Sequence, residues 1–217
     1  MNRRPRLLDL FCGSGGAAVG YHRAGFDVVG VDLHPQPHYP FEFHQADALT
    51  FDLRGFDAIH ASPPCQFHSA LSVQHGDPAA RGHLNLIPET REILAASGLP
   101  YVIENVPGAR KHLRDPSLLC GSMFDLSVEW NGTVGYLQRH RLFESPVVQW
   151  AIPCQHKLPT WGVYGHGQGG GEHKGRSLPA DQARTIMGMP WASRDGVAQA
   201  IPPAYTEHIG RQLLHRI

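Results

Sequence analysis

Short apolar runs alternate with helix-like stretches along the first half of the chain. RLLDLF reads as a buried strand, AAVGYHRAG as the start of a helix and DVVGVD as the next strand. FEFHQAD and FDAIHAS continue the series, and PYVIENV follows a helix with Pro88 at its start and Gly98 just past its end. Apolar strands separated by helices predict an α/β fold with a doubly wound, mainly parallel sheet covered on both faces. From about Asp115 the pattern loosens, and WGVYGHGQGGGEHKG (Trp161 to Gly175) is too glycine-rich for a packed element and reads as a mobile loop. Beyond it, SLPADQARTIMGM has helical spacing behind a Ser177 cap, and PPAYTEHIGRQLLHRI reads as a closing helix.

A chain of 217 residues, 41% hydrophobic and 18% charged, has the material for the core of one domain. No apolar stretch reaches the length of a membrane span, and MNRRPRLLDLF turns acidic before a secretory apolar segment develops, so a cytoplasmic protein without a membrane partner is expected. Cys12, Cys65, Cys120 and Cys154 are scattered and form no C-x-x-C pair, which predicts reduced thiols rather than disulfides or a zinc ribbon. Basic and acidic residues balance at 19 each, so attraction to a polyanion would have to be local. Arg139, Arg141, Lys157, Lys174 and Arg176 are the best candidates for such a surface, with some of the 15 histidines.

Three motifs carry chemistry. In DLFCGSGGAAVG, Gly13, Gly15 and Gly16 follow a strand and open a helix, where backbone amides can approach a ligand at the helix N-terminus. Asp32 ends the second strand, where a carboxylate can accept the hydroxyls of a ribose, and Asp47 ends the next, where it can face an adenine amine. Each alone is as well explained by a turn or cap; together, in order, they favour an adenosine-containing cofactor, and their spacing does not separate NAD from S-adenosylmethionine. In ASPPCQFHS, Cys65 sits just past a strand behind two prolines that fix its backbone, at the edge where open α/β sheets place their chemistry. A buried structural thiol is the bland alternative, but no apolar run follows to bury it. In ENV, Glu104 closes the strand YVI, either as a helix cap or as a proton donor facing Cys65 across one crevice.

The order DLFCGSGG, SPPCQ, ENV, RHR resembles the carbon-5 cytosine-specific DNA methyltransferases, and the likeness continues through LLCGSMFDL, RSLPADQARTIMGMP and IPPAYTEHIG. The resemblance implies a Rossmann-like fold that binds S-adenosyl-L-methionine through Asp9, Phe11, Gly13, Gly15, Gly16, Asp32, Leu33, Asp47, Ala48 and Pro63. It implies Cys65 as nucleophile, Glu104 as the group that holds and protonates cytosine, and Arg139 with Arg141 completing the pocket. Double-stranded DNA with a flipped target base is the implied partner, and no obligate protein partner is evident.

Two departures stand out. The position two before the first arginine, usually glutamine in that family, is Leu137, with Gln138 one residue on. Family members usually carry a sizeable target-recognition region after the arginine motif, yet here only Phe143 to Gly175 fills that slot. The expected division is therefore 1–142 for cofactor binding and catalysis, 143–175 for a reduced recognition segment, and 176–217 for helices completing the catalytic domain, with a short target site. Cys154-x-His156 with His166 and His173 matches no standard zinc finger, so solvated loop histidines and no metal are expected. The same chemistry on RNA or a free nucleotide, transfer of a group other than methyl, and a non-catalytic binding protein are the competing readings.

Overall fold

A computed structural model describes residues 3–68, 82–146, 154, 156, 159–164 and 177–217. The apolar runs form β1 (Arg6–Leu10), β2 (Asp27–Asp32), β3 (Glu42–Gln45), β4 (Ala58–Ala61) and β5 (Tyr101–Asn105). Helices α1 (Gly16–Ala24) and α2 (Ile87–Ser97) lie between them, and Gly98 closes α2 at φ +70°, as its place past the last turn predicts. The chain continues through β6 (Ser117–Leu119), β7 (Ser127–Trp130), β8 (Thr133–Leu137), β9 (Arg141–Glu144) and β10 (Thr160–Trp161) to α3 (Ala180–Met187), α4 (Arg194–Gln199) and α5 (Pro203–Leu213).

Seven strands make one sheet in the order β3-β2-β1-β4-β5-β9-β6. The pairs from β3 through β5 are parallel, whereas β9 runs antiparallel to both of its neighbours, pairing Glu104 with Phe143 and Leu119 with Arg141. A bidentate ion pair between buried side chains, Arg91 to Glu144 at 2.6 and 2.7 Å, anchors β9 to α2. Both faces of the sheet are covered. On one, Leu7, Val28 and Val102 pack with Tyr21 of α1 and Tyr205, Ile209 and Leu213 of α5; on the other, Leu8, Ile59 and Ile103 pack with Ile87 and Leu94 of α2. Gly20 permits the close α1–α5 contact, because a Cβ there would collide with the Pro203 carbonyl and the Thr206 side chain. The Thr206 hydroxyl donates to the Ala17 carbonyl at 2.9 Å across that contact.

A second sheet, β10-β8-β7, carries its own apolar cluster, in which Leu137 and Val163 meet Leu178, Ile186, Met187, Met189 and Val197. In packing, β7 and β8 share a core with α3 and α4, whereas α5 covers the main sheet. The Ser177 cap does not form. Pro179 takes the N-cap position of α3 without a side-chain cap, and Ser177 bridges Gly162. Much of the expected glycine-rich loop lies outside the described residues. Among those described, no helix is long and apolar enough to cross a membrane.

Candidate active site

The parallel strands deliver their functional residues at one edge, the carboxyl ends. After β1 the backbone turns left-handed three times, at Phe11 (φ +57°), Gly13 (+49°) and Gly15 (+78°), before α1 begins. Phe11 holds a conformation that costs a non-glycine residue of order 1 kcal/mol, the kind of strain that collects at ligand sites. The Gly13 amide donates to one Asp32 oxygen at 3.0 Å and the His34 amide to the other at 2.9 Å. That uses about two of the four lone-pair sites of a carboxylate.

The arrangement suits an adenosine-bearing ligand. The space where a Cβ would sit on Gly13 is open to beyond 4 Å, Leu33 beside Asp32 is 63% exposed, and Asp9 Oδ1 is buried without a hydrogen-bond partner. Burial also lifts the Asp9 carboxyl well above the carboxylate range. Asp47 turns one oxygen back onto the Leu49 amide at 2.9 Å, ahead of buried Ala48. Gly16 is pressed against the Ile201 carbonyl, and the Trp191 indole donates to the Ser14 carbonyl at 2.8 Å, so C-terminal residues brace this turn from behind.

Cys65 and Glu104 come from adjacent strands, just past β4 and within β5. The Asn105 side-chain amide donates to the carbonyl of buried Pro63 at 2.9 Å, which ties the cysteine turn to the strand bearing Glu104. The Cys65 carbonyl accepts from the His68 amide at 2.9 Å, and Gly108 leaves room for the His68 carbonyl, which a Cβ there would strike. Glu104 is buried, with Oε1 3.1 Å from Arg141 Nε but without a hydrogen bond of good geometry. Burial pushes its carboxyl above the ordinary range, against the opposing pull of Arg141, Ser62 and Arg139. Burial and then the Glu104 charge push the Cys65 thiol up, opposed by the two arginines. Behind Ser62 runs a buried polar chain, with Ser62 Oγ 2.9 Å from His60 Nε2 and His60 Nδ1 3.0 Å from the Tyr21 hydroxyl. Burial holds the His60 pKa down at about 3, so this imidazole is neutral.

The two arginines part company. Arg141 lies on Glu104, whereas the buried Arg139 guanidinium donates to the carbonyls of Val163, Ala198 and Ala200 at 2.7–3.0 Å. Neither is the exposed basic surface that charge counting suggested, and Lys157, Lys174 and Arg176 lie outside the described residues. Leu137, at the expected glutamine position, is fully buried in the small-sheet core.

The C-5 cytosine-specific DNA methylase family model matches residues 5–119, more than half of the chain, which includes Asp32, Asp47, Cys65 and Glu104 but not Arg139 or Arg141. The chain belongs to that family. Among curated methyltransferases, the type II enzyme M.FnuDI of Fusobacterium nucleatum is 30% identical over 89 residues, covering 36% of this chain and 26% of that protein. M.HgiDI of Herpetosiphon aurantiacus is 31% identical over 121 residues, covering 48% and 38%. The chain thus spans well under half the length of these relatives. The fold of this chain is similar to that of Entamoeba histolytica EhMeth (TM-score 0.63, 11% identity) and of S. pombe Dnmt2 (TM-score 0.62, 14% identity), each covering 99% of both chains.

Three contributors to this site escape a reading of the sequence. Asn105 stands in the ENV motif, but its bond to Pro63 depends on the pairing of β4 with β5. Trp191 braces Ser14 across 177 positions, for which the chain offers no local signal. Tyr39 packs where a side chain on Gly30 would lie and reaches Asp9 Oδ2 at 3.4 Å; the glycine within DVVGVD is the trace of that approach.

Proposed function

We propose that this methylase transfers a methyl group from S-adenosyl-L-methionine to carbon 5 of cytosine in double-stranded DNA. The observation that carries the reading is the pairing of a half-buried thiol, Cys65, with a buried carboxyl of raised pKa, Glu104, fixed to each other through Asn105 and Pro63. Carbon 5 of cytosine is a poor nucleophile. Addition of the Cys65 sulfur to carbon 6, with a proton from Glu104 on ring nitrogen 3, makes carbon 5 enamine-like. The bound cofactor supplies an electrophilic methyl group. Cys65 attacks as the thiolate, its proton released to solvent; after methyl transfer, loss of the carbon-5 proton to solvent restores the 5,6 double bond and expels the thiolate, and the proton on ring nitrogen 3 returns to Glu104. Asp32 would hold the ribose and Asp47 the adenine amine, with Phe11, Gly13, Gly15, Gly16, Leu33, Ala48 and Pro63 lining the site and Asp9 supporting it. Arg141 orients Glu104. Arg139, spent on backbone carbonyls, is assigned to holding the C-terminal segment in place.

A stacked base cannot reach Cys65, so the target nucleotide is flipped from the duplex. The short stretch after β9 supports a short target sequence. Methylation of bacterial or phage DNA would place the protein in the cytoplasm. Balanced charge favours a second reading, the same chemistry on RNA or a free nucleotide. Mass spectrometry of nucleosides after incubation with S-adenosyl-L-methionine separates the two: 5-methylcytosine forms in DNA with the native protein and not with Cys65→Ala. Product in RNA or nucleotide alone replaces the substrate, and product from Cys65→Ala overturns the mechanism.

A further inference from the structure

Away from the crevice, four side chains that the sequence keeps apart converge. Cys120 precedes the turn at Gly121–Phe124, His140 stands between the two arginines, and Cys154 and His156 lie in the segment between β9 and β10. Their ligand atoms all fall within 4.8 Å of one another. His140 Nε2 is 3.4 Å from Cys154 Sγ and 3.0 Å from His156 Nε2, and Cys120 Sγ is 3.7 Å from His156 Nε2.

These separations are those of a coordination tetrahedron. With zinc at about 2.3 Å from sulfur and about 2.05 Å from nitrogen, its edges are about 3.3 Å between nitrogens, about 3.6 Å between nitrogen and sulfur and about 3.8 Å between sulfurs. Three of the six edges, from His156 Nε2 to His140 Nε2 and Cys120 Sγ and from His140 Nε2 to Cys154 Sγ, lie within a few tenths of an ångström of those values, and all four ligand atoms stay within 4.8 Å of one another. We propose that Cys120, His140, Cys154 and His156 form a structural zinc site. Two thiolates with two imidazoles suit zinc in both softness and geometry, and four protein ligands leave no open position for a reacting water. Beyond the ligands, the Ser122 hydroxyl lies 3.4 Å from Cys154 Sγ, placed to donate to that sulfur and orient it.

In sequence Cys154 and His156 are set beside His166 and His173, which lie outside the described residues. The partners are upstream, brought close by the return of the chain from β8 into β9. A zinc ion here clasps the segment after β9 to the strand that carries Arg141. The proposal stands independently of methyl transfer.

The test is metal analysis of the full chain, expressed without a polyhistidine tag, for native protein, Cys65→Ser, Cys154→Ser and the double variant Cys154→Ser/His156→Asn. Plasma mass spectrometry is expected to find about one zinc per chain in the native protein and Cys65→Ser, and a small fraction of that in the double variant. Replacement by cobalt(II) adds a second readout, with visible ligand-field bands of a tetrahedral site and a thiolate charge-transfer band that fades in Cys154→Ser. Circular dichroism establishes that the variants are folded; if the double variant is not, the cobalt spectrum of native protein decides. A metal-free native protein that takes up neither zinc nor cobalt overturns the site, as do a Cys120–Cys154 disulfide in the freshly isolated protein and full zinc retention by the double variant.

Discussion

At the scale of residues, Cys65 is a thiol held in reserve. Only the thiolate is nucleophilic, and both burial and the neighbouring Glu104 charge disfavour it. The protonated form therefore persists to higher pH than in a free cysteine, and alkylation of Cys65 by iodoacetamide, followed by peptide mass spectrometry, has its midpoint displaced upward. Removing the charge in Glu104→Gln moves that midpoint down, so at a fixed pH below it Cys65 reacts several-fold faster even though methyl transfer is lost. An unchanged alkylation profile would show that the two groups do not sense each other. The sequence placed both residues at the ends of apolar strands but left Glu104 open between a helix cap and a partner of Cys65, since only the pairing of β4 with β5 brings the two together. The division of labour between Arg139 and Arg141 was not legible. Alternate positions on a chain give no account of which guanidinium meets backbone carbonyls 24 to 61 residues away.

Elements were legible in proportion to the continuity of their apolar character. β1, β2, β4 and β5 are buried along most of their length and announce themselves, as does the glycine that closes α2. β7, β8 and β10 are short and half exposed, and their pairing joins segments on either side of β9, so no local pattern betrays the second sheet. Contacts between helices are set by small residues, whose role shows only in three dimensions. Gly20 is one. Gly20→Ala raises helix propensity yet forces α1 off α5, and the overpacking outweighs the gain, with a loss of about 1–3 kcal/mol in urea unfolding. Equal or greater stability of that variant would mean the helices can shift apart at no cost.

At the scale of the whole molecule, the two sheets unfold together if the bonds between them suffice. Arg139, just before β9, is one such link, ending on Val163 beside the small sheet, on Ala198 of α4 and on Ala200. Among the described residues Trp130, Trp161 and Trp191 all pack around the small-sheet core, so in a Trp150→Phe background tryptophan fluorescence follows that unit while far-ultraviolet circular dichroism follows the entire fold. In that background the two signals are expected to change at one urea concentration. Arg139→Gln leaves buried carbonyls unpaired at about 1–3 kcal/mol each, and the fluorescence transition should then precede the other; coincidence in the variant would assign the coupling elsewhere. The α1–α5 contact has a further consequence on the ribosome. The bond from Thr206 to Ala17 spans 189 positions, and at about 5–20 residues per second α5 follows α1 by about 10–40 s. Throughout that interval the nascent chain displays Ala17, Ala18 and Tyr21 uncovered, a stretch open to chaperones until translation supplies the helix that hides it.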